Sequence, residues 1–178
     1  MIRTNRLVLR HWQESHRQAF AHMHTDPEVM LDLGGPLLEA ASGAKFDRYL
    51  SAYRDHGISR WAVEDPNGEF LGYAGVMPRL SPDHPLGSHY EVGWRFVRKA
   101  WGRGYATESA TAALAHAFTQ CGLKEIVSYT SHDNLRSQAV MERLKLQRDA
   151  SRDFAAGYER VGIWQGLVWV ARPDTFTA

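Results

Sequence analysis

The sequence predicts a single α/β domain of the α+β kind, with a central mixed and mostly antiparallel sheet flanked by helices. Segments that alternate apolar and polar residues, as strands do, are interleaved with segments whose apolar residues recur every three or four positions, as in helices. A strand, a helix and a second strand follow one another over residues 90–131, which indicates a parallel strand pair inside an otherwise antiparallel sheet. The 178 residues, 44% of them hydrophobic, suit one compact domain over residues 1–178.

Composition excludes several classes of function. The formal net charge of +1 gives the chain no overall field that would favour nucleic acid or a membrane surface as a partner. One cysteine excludes an internal disulfide and fits a reducing compartment. The first residues lack the apolar core of a signal peptide, and no apolar run approaches the roughly 20 residues of a membrane helix. We therefore expect a cytoplasmic protein.

The first third of the chain predicts one strand and two helices. Residues 6–10 alternate and form the first strand. Ser15 and Gln18 fit a capping box for a short helix that buries Phe20 and Met23, and residues 26–28 carry a second helix-start signal. A longer helix then follows, and it ends at Gly57. Its apolar residues at helical spacing are Phe46, Tyr49, Leu50 and Tyr53.

The middle of the chain predicts an antiparallel meander. Residues 60–64 and 69–77 flank an Asp-Pro-Asn-Gly turn and form a hairpin, and the strand over residues 88–97 completes the meander. Residues 78–87 hold three prolines and a glycine, so we predict an exposed loop there. Because loops beside a rigid sheet often contact substrates, this loop is a candidate wall of the acceptor site.

The second half predicts two more helix and strand pairs. Apolar residues at helical spacing predict a helix over residues 106–121, which Gly122 ends in a left-handed conformation. Residues 125–131 form the next strand, Asn134 caps a helix that buries Leu135, Val140, Met141 and Leu144, and residues 162–170 form the closing strand.

A glycine turn between the strand over residues 90–97 and the following helix predicts an anion site. The first N–H groups of a helix lack partners and carry about half a positive charge. Gly102 and Gly104 let the backbone form a tight concave turn that phosphate oxygens can approach closely, and Arg98, Lys99 and Arg103 add cations.

Two other phosphate loops fit this turn poorly. A P-loop needs four residues between its glycines and then Gly-Lys-Ser/Thr, whereas one residue separates Gly102 from Gly104. A dinucleotide fingerprint needs Gly or Ala where Thr107 stands, and its acidic residue should close the next strand, whereas Glu125 would open it. A turn whose glycines only ease a tight corner remains open on spacing alone.

Residues 99–108, Lys-Ala-Trp-Gly-Arg-Gly-Tyr-Ala-Thr-Glu, resemble the acetyl-CoA pyrophosphate motif Gln/Arg-x-x-Gly-x-Gly/Ala of the GNAT acetyltransferases, in the form typical of the ribosomal-protein (Rim-type) branch. Lys99 departs from the usual Gln or Arg. Residues 4–10 and 26–30 resemble the opening of the same branch, and matching segments extend over residues 4–146.

The resemblance implies a fold, a cosubstrate and a set of binding residues. It implies a GNAT-like sheet whose parallel strands splay apart, with acetyl-CoA lying in the gap and no metal ion. Asn134 and Ser137 resemble the Asn-x-x-Ser element that holds the pantetheine arm in this branch, and Lys145 stands where the branch usually has glycine. The implied binding residues are Phe96, Val97, Arg98, Lys99, Trp101, Gly102, Arg103, Gly104, Tyr105, Ala106, Thr107, Asn134 and Ser137.

Two residues are the predicted catalytic groups. The resemblance places the Ser137 hydroxyl near the sulfur, where it would donate to the leaving thiolate; the alternative is a first-turn serine that bonds a helix amide. Glu91 lies on the strand that leads to the cofactor, and partial burial would raise its pKa toward that of a useful base; the alternative is a solvent-facing carboxylate. Backbone N–H groups of residues 96–98 would stabilise the developing oxyanion, and His89, Tyr129 and His132 are reserve bases.

The function that follows is acetyl transfer from acetyl-CoA directly to a primary amine. A protein N-terminus is the leading acceptor, because its pKa of about 8 makes deprotonation less costly than that of lysine, at about 10.4. A small amine such as an aminoglycoside, a polyamine or an amino acid is the alternative within enzymes. A non-catalytic acyl-CoA-binding module is the alternative from another class, and either a monomer or a homodimer is compatible with the sequence.

Overall fold

The computed structural model describes residues 1–158, 160 and 162–176. Four α-helices lie in this part of the chain: α1 Arg17–Met23, α2 Glu39–His56, α3 Tyr105–Thr119 and α4 Leu135–Arg143. Its strands are β1 Ile2–Arg3, β2 Val8–Arg10, β3 Trp61–Glu64, β4 Phe70–Arg79, β5 His89–Phe96, β6 Ile126–Thr130, β7 Gln147–Arg148, β8 Phe154–Tyr158 and β9 Gly162–Ala171.

These strands form one mixed sheet in the order β1-β2-β3-β4-β5-β6-β9-β7, and β8 pairs with the first half of β9. The antiparallel meander β3-β4-β5 has the predicted topology, with Gly72 opposite Phe96. Strands β5 and β6 are the predicted parallel pair, and they share one register position, at Glu91 and Val127. The predicted fold class is therefore confirmed.

Helices cover both faces of the sheet, as expected for strands that are apolar on both faces. On one face, α1 and α2 bury Phe20, Phe46 and Tyr49 against Tyr73 of β4. On the other, α3 and α4 pack their apolar faces against β4, β5 and β6, in a cluster that includes Val76, Val92, Ala110, Leu114, Ile126 and Met141.

Two predicted helix starts are wrong. The Ser15 and Gln18 box is not the start of α1: a 3-10 turn begins at Glu14, and the Gln13 N–H donates to His16 Nδ1 at 3.0 Å. The signal at residues 26–28 forms a capped turn and then a 3-10 turn over Leu31–Leu33 rather than an α-helix.

Two further details of the helices and loops differ from the prediction. Leu135 is exposed, whereas the other apolar residues predicted for α4 are buried. Pro78 lies within β4, which extends to Arg79, so the predicted loop begins two residues later.

Backbone conformation explains where helices stop. Gly57 and Gly122 take positive φ angles of 68° and 66°, as predicted for residues that end helices. Lys145 has a φ of 56°, so the turn after α4 keeps the left-handed conformation that glycine favours although a lysine occupies it. Within the described residues, no helix is long and apolar enough to span a membrane.

Candidate active site

The glycine turn has the geometry of an anion cradle. After β5 a 3-10 turn over Arg98–Ala100 leads to Gly102 and Gly104, whose φ angles of 71° and 77° are left-handed. The first α3 hydrogen bond runs from the Glu108 N–H to the Gly104 carbonyl at 3.0 Å, so the amides of residues 105–107 precede the helical ladder. These amides can therefore bind an anion.

The N-terminal segment fixes this turn from behind. Thr4 Oγ1 donates to Glu108 Oε1 at 2.6 Å, and Arg6 Nε donates to Glu108 Oε2 at 2.7 Å. Arg6 Nη1 also donates to the Arg103 carbonyl at 2.9 Å, and the guanidinium lies 4.9 Å from the ring centre of Tyr105. Two segments that are far apart in the sequence thus hold the cradle in shape.

The cations of the turn differ in their surroundings. Arg98 pairs with Asp26 at 2.7 Å and Glu28 at 2.8 Å, and Lys99 pairs with Glu69, so carboxylates already balance both charges. Arg136 of α4 lies 4.3 Å from the ring centre of Trp101, which brings a cation from the second helix to the turn. Arg136 stands beside Ser137 in the sequence, and only the fold brings it to Trp101.

Strands β5 and β6 separate just below the turn. The two strands are paired at one register position, Glu91 with Val127. One residue further along both strands, Ser128 Oγ donates to the Val92 carbonyl at 3.0 Å. The Val97 N–H donates to the Leu71 carbonyl at 2.9 Å, so the prediction that the Val97 amide is free is wrong. Because successive amides of a strand point to opposite sides, the N–H groups of Trp94 and Phe96 point away from β4, toward the gap beside β6.

Helix α4 forms the other wall of this gap. Asn134 caps the helix by accepting the Ser137 N–H at 3.2 Å, as predicted. Ser137 and Met141, one turn apart, line a cleft of about 920 Å³ together with Trp94 of β5. The cleft extends from this gap across the sheet to α2.

The outer part of the cleft lies between the sheet, α2 and the turn that joins β8 to β9. Arg160 Nη2 donates to the carbonyls of Gly35 at 2.9 Å and Pro36 at 2.6 Å, so the last hairpin contacts the segment before α2. Leu80 and His84 of the predicted loop also line the cleft, so this loop does form part of its wall.

Comparison with known proteins identifies the family. The sequence model of the "Acetyltransferase (GNAT) domain" matches residues 6–147. The chain belongs to the GNAT acetyltransferase family. GNAT domains bind acetyl-CoA, and this protein is accordingly an N-acetyltransferase that uses acetyl-CoA.

Individual relatives agree with this assignment. The chain is 32% identical over 146 residues to an FsC-acetyl coenzyme A-N(2)-transacetylase of Aspergillus fumigatus, a match that covers 79% of this chain and 62% of the relative. An acetyltransferase from Agrobacterium tumefaciens superposes with a TM-score of 0.79 at 28% identity, covering 96% of this chain and 93% of the other.

More distant structures share the GNAT fold alone. A Vibrio cholerae spermidine N-acetyltransferase in complex with CoA and spermine has a TM-score of 0.76 at 16% identity, covering 97% of this chain and 98% of the other. The ribosomal L7/L12 alpha-N-protein acetyltransferase RimL in complex with CoA has a TM-score of 0.74 at 15% identity and 97% coverage of both chains. Both acceptor types therefore occur among the GNAT neighbours, and the Rim-type branch is one of several.

The residues of this GNAT cradle fit the diphosphate of coenzyme A. A Cβ on Gly102 would meet nothing within 4 Å, so the space in front of the turn is open. Thr107 Oγ1 at the start of α3 is buried and has no hydrogen-bond partner among the described residues, as expected of a group that completes its bonding with a ligand.

Glu91 differs from the prediction. Its Oε1 accepts from Arg60 Nη2 at 2.6 Å, and its Oε2 accepts from Arg79 Nε. Burial alone would raise the pKa of the Glu91 carboxyl, but the charges of Arg60 and Arg79 outweigh it and lower that pKa to about 2. The predicted raised pKa is therefore wrong, and so is the alternative of a solvent-facing carboxylate.

The reserve bases lie in different places. His84, His89 and Tyr129 form an aromatic cluster beside Glu91, and the Tyr129 hydroxyl donates to Glu91 Oε2 at 3.4 Å. Burial lowers the pKa of both His84 and His89, which favours their neutral forms. His132 is exposed at the start of the α4 cap.

Tyr73 is a titratable group of the cleft that sequence reasoning missed. Burial would raise the pKa of its hydroxyl, but the charges of Lys45, Arg95 and Arg60 lower it to about 7. No local pattern in the sequence could show this, because the three cations come from three separate elements. Among the described residues, no three His, Cys, Asp or Glu side chains converge to hold a metal ion.

Proposed function

We propose that this acetyltransferase transfers the acetyl group directly to a primary amine bound in the cleft between α2 and the sheet. The observation that supports it most is continuity: one cleft reaches from Ser137 and Trp94, beside the strand gap, to the wall formed by α2. An amine bound in its outer part would therefore have an open path to the cofactor end. Direct transfer needs such a path, because both reactants must meet in one site.

Each group near the cofactor end has a proposed role. Acetyl-CoA supplies the thioester carbonyl that a neutral amine attacks. The amides of residues 105–107 and the cation of Arg136 would hold the diphosphate. The N–H groups of Trp94 and Phe96 would orient and polarise the carbonyl. The Ser137 hydroxyl would donate a hydrogen bond to the leaving sulfur.

Proton removal does not require Glu91 in this proposal. A carboxylate with a pKa of about 2 is a weak base, since a general base works best when its pKa is near the working pH. The cations around the cleft instead lower the pKa of a bound ammonium group and so favour the neutral amine. Tyr73 lines the same cleft, and its pKa is lowered to about 7, which is near the working pH that suits a general base.

A small amine is favoured over a protein N-terminus. The cleft volume of about 920 Å³ lies within the range of small-molecule sites. The contact of Arg160 with the carbonyls of residues 34–36 bounds the cleft on the outside, which would restrict the entry of a polypeptide. The resemblance of residues 99–108 to the ribosomal-protein branch supports the N-terminus instead, and it remains the second candidate.

The proposal is tested in two steps. A thermal-shift titration with acetyl-CoA should raise the melting temperature, because a ligand at 100 times its dissociation constant stabilises the folded state by about 2.7 kcal/mol. Release of coenzyme A thiol is then followed with small amines and with N-terminal peptides, and mass spectrometry of the products identifies the acetylated group.

Three outcomes distinguish the alternatives. Acetylation of small amines supports the proposal, and acetylation of peptides alone supports the N-terminal acceptor. Binding of acetyl-CoA without transfer to any amine supports a non-catalytic acyl-CoA-binding module and refutes the proposed function.

A further inference from the structure

We infer that the acceptor is a small amine that carries a carboxylate or phosphate group, which Lys45 and Arg48 of α2 bind at the wall of the cleft. This inference rests on the proposed function, because it concerns the acceptor in the same cleft.

Cations outnumber carboxylates around the cleft. Of the described residues that line it, Lys45, Arg48, Arg60, Arg79, Arg95 and Arg160 are cationic, whereas Asp32 and Glu91 are the only carboxylates. Six cations against two carboxylates leave four cations without a carboxylate, and the Tyr73 hydroxyl, whose pKa these cations lower to about 7, offsets at most one of them. A cleft with this excess and low-dielectric walls concentrates anions and repels cations.

Only part of this charge is balanced by the protein itself. Glu91 lies between Arg60 and Arg79, and Asp32 forms a bidentate pair with Arg95 at 2.8 and 2.9 Å. Among the described residues, neither Lys45 nor Arg48 has a carboxylate within ion-pair distance, and Lys45 Nζ lies 5.6 Å from the ring centre of Tyr73. These two cations remain for a ligand.

Helix geometry directs both side chains to the same place. Ala41, Ala44, Lys45 and Arg48 all line the cleft, and they occupy positions i, i+3, i+4 and i+7 of α2, which form one helix face. Two alanines leave space on this face and two cations line it. Such a face suits a compact anionic group.

A buried donor without a partner points to the same kind of ligand. Arg60 Nε is buried and has no hydrogen-bond partner among the described residues, although Nη1 and Nη2 of the same side chain donate to Tyr49 and Glu91. The Arg60 side chain is only 7% exposed. Buried donors normally have acceptors, so a ligand with carboxylate or phosphate oxygens is better matched to this cleft than one with further donors.

Coenzyme A does not account for these cations. Among the described residues that line the cleft, none belongs to the glycine turn over residues 101–107, which is where the diphosphate is expected. The α2 cations instead lie on the acceptor side. A polyamine, which has several positive charges, is a poor match for the same wall.

The test compares matched amines that differ in one anionic group. Rates of acetyl transfer are measured for phosphoethanolamine against ethanolamine, and for an α-amino acid against its amide. We expect kcat/KM to be at least about tenfold higher for one member with an anionic group than for its partner without that group, as for a charged hydrogen bond of ordinary strength. The two pairs distinguish phosphate from carboxylate.

Variants of α2 test whether Lys45 and Arg48 cause the preference for the anionic amine. Lys45→Met and Arg48→Met should each reduce the preference about tenfold and lower its dependence on salt. The control is Arg54→Met, on the same helix but outside the cleft and with a side chain 75% exposed, which should leave the preference unchanged. Circular dichroism verifies that every variant is folded.

A binding measurement separates this inference from the proposed function. Calorimetry with the same amines is performed on protein saturated with coenzyme A, so that it needs no turnover. If no amine is acetylated but the anionic member binds more tightly, the proposed function fails and the inference about the ligand stands.

Three results would overturn the inference. One is equal binding and equal rates within both pairs; another is a preference that persists in the Lys45→Met/Arg48→Met double variant. Faster acetylation of an acidic N-terminal peptide than of both small anionic amines would overturn the assignment of a small acceptor.

Discussion

Replacement of Glu91 by glutamine tests how the structure uses this carboxylate. Glu91 and Arg60 have side chains that are 10% and 7% exposed, and Arg79 is 33% exposed. Glutamine has nearly the same shape as glutamate but no charge, so Glu91→Gln leaves two arginines without their counterion. The main effect of Glu91→Gln should therefore be a lower free energy of unfolding.

The magnitude follows from the pKa of Glu91. A fall from 4.5 to about 2 corresponds to roughly 3 kcal/mol of stabilisation of the charged form. Because the folded-state pKa is the lower one, this contribution is complete above pH 4.5 and is lost as the pH falls toward 2. Breaking a buried pair costs about 3–5 kcal/mol in other proteins, which is of the same size. We expect the melting temperature to fall by about 6–12 °C at pH 7.

Urea unfolding followed by circular dichroism measures the change, with Glu125→Gln as the matched control. Glu125 also bonds two arginines, Arg152 and Arg172, but it is 37% exposed, so its loss should cost less than about 1 kcal/mol. An equal loss in both variants would refute the burial argument. In activity assays between pH 5 and 8, the acidic limb of the pH–rate profile of Glu91→Gln should lie at the same pH as that of the unchanged protein. Loss of this limb in Glu91→Gln would show that Glu91 is the base after all.

Three further substitutions test the cofactor cradle, the leaving group and the turn after α4. Gly104→Val should weaken acetyl-CoA binding at least about tenfold in calorimetry, because a φ of 77° strains a branched residue and displaces the amides. The control is Gly68→Val, at a remote turn with a φ of 87°, which should leave acetyl-CoA binding unchanged. Ser137→Ala should lower kcat about tenfold or more while acetyl-CoA affinity stays within twofold; an unchanged kcat would remove Ser137 from the mechanism. Lys145→Gly should have a free energy of unfolding about 1 kcal/mol higher than Lys145→Ala, since both variants remove the side-chain contacts and only glycine relieves the left-handed conformation at φ 56°; equal stabilities would contradict the strain.

The parts of the fold that can be predicted from the sequence are those that neighbouring residues determine. Strand β5 alternates strictly and α3 has a long apolar face, so the predicted bounds of both agree with the structure within two residues. For α2 the pattern predicts the end at Gly57, whereas the helix begins at Glu39, seven residues before the first apolar position of the pattern. Strands β1 and β7 have two residues each and pair only at the sheet edges, which is too short for any periodicity. The prediction for the start of α1 is wrong because Gln13 and His16, rather than Ser15 and Gln18, form the observed capping box. His16 also bonds Glu64, which is 48 residues away in the sequence, and no local pattern shows this contact.

The two halves of the site differ in the same way. The cofactor cradle depends on backbone amides and glycine conformations within residues 96–107, so a local pattern carries it. The environment of Glu91 depends on Arg60 and Arg79, which are 31 and 12 residues away and reach it only across strand pairings. A single sequence cannot show whether a strand carboxylate meets a cation, a neutral group or water, and each of these gives a different pKa.

The charges around the cleft likewise depend on contacts between distant parts of the sequence, and they bear on ligand preference. The whole chain is close to neutral, at +1, yet the fold brings six cations and two carboxylates of its described residues around one cleft. These cations come from α2, the start of β3, β4, β5 and the turn before β9, so no segment of the sequence is strongly basic. Net charge therefore describes how the molecule meets bulk solvent, whereas ligand preference follows from the few charges that share a low-dielectric cavity. From these charges we infer an acceptor that carries an anionic group rather than one with several positive charges.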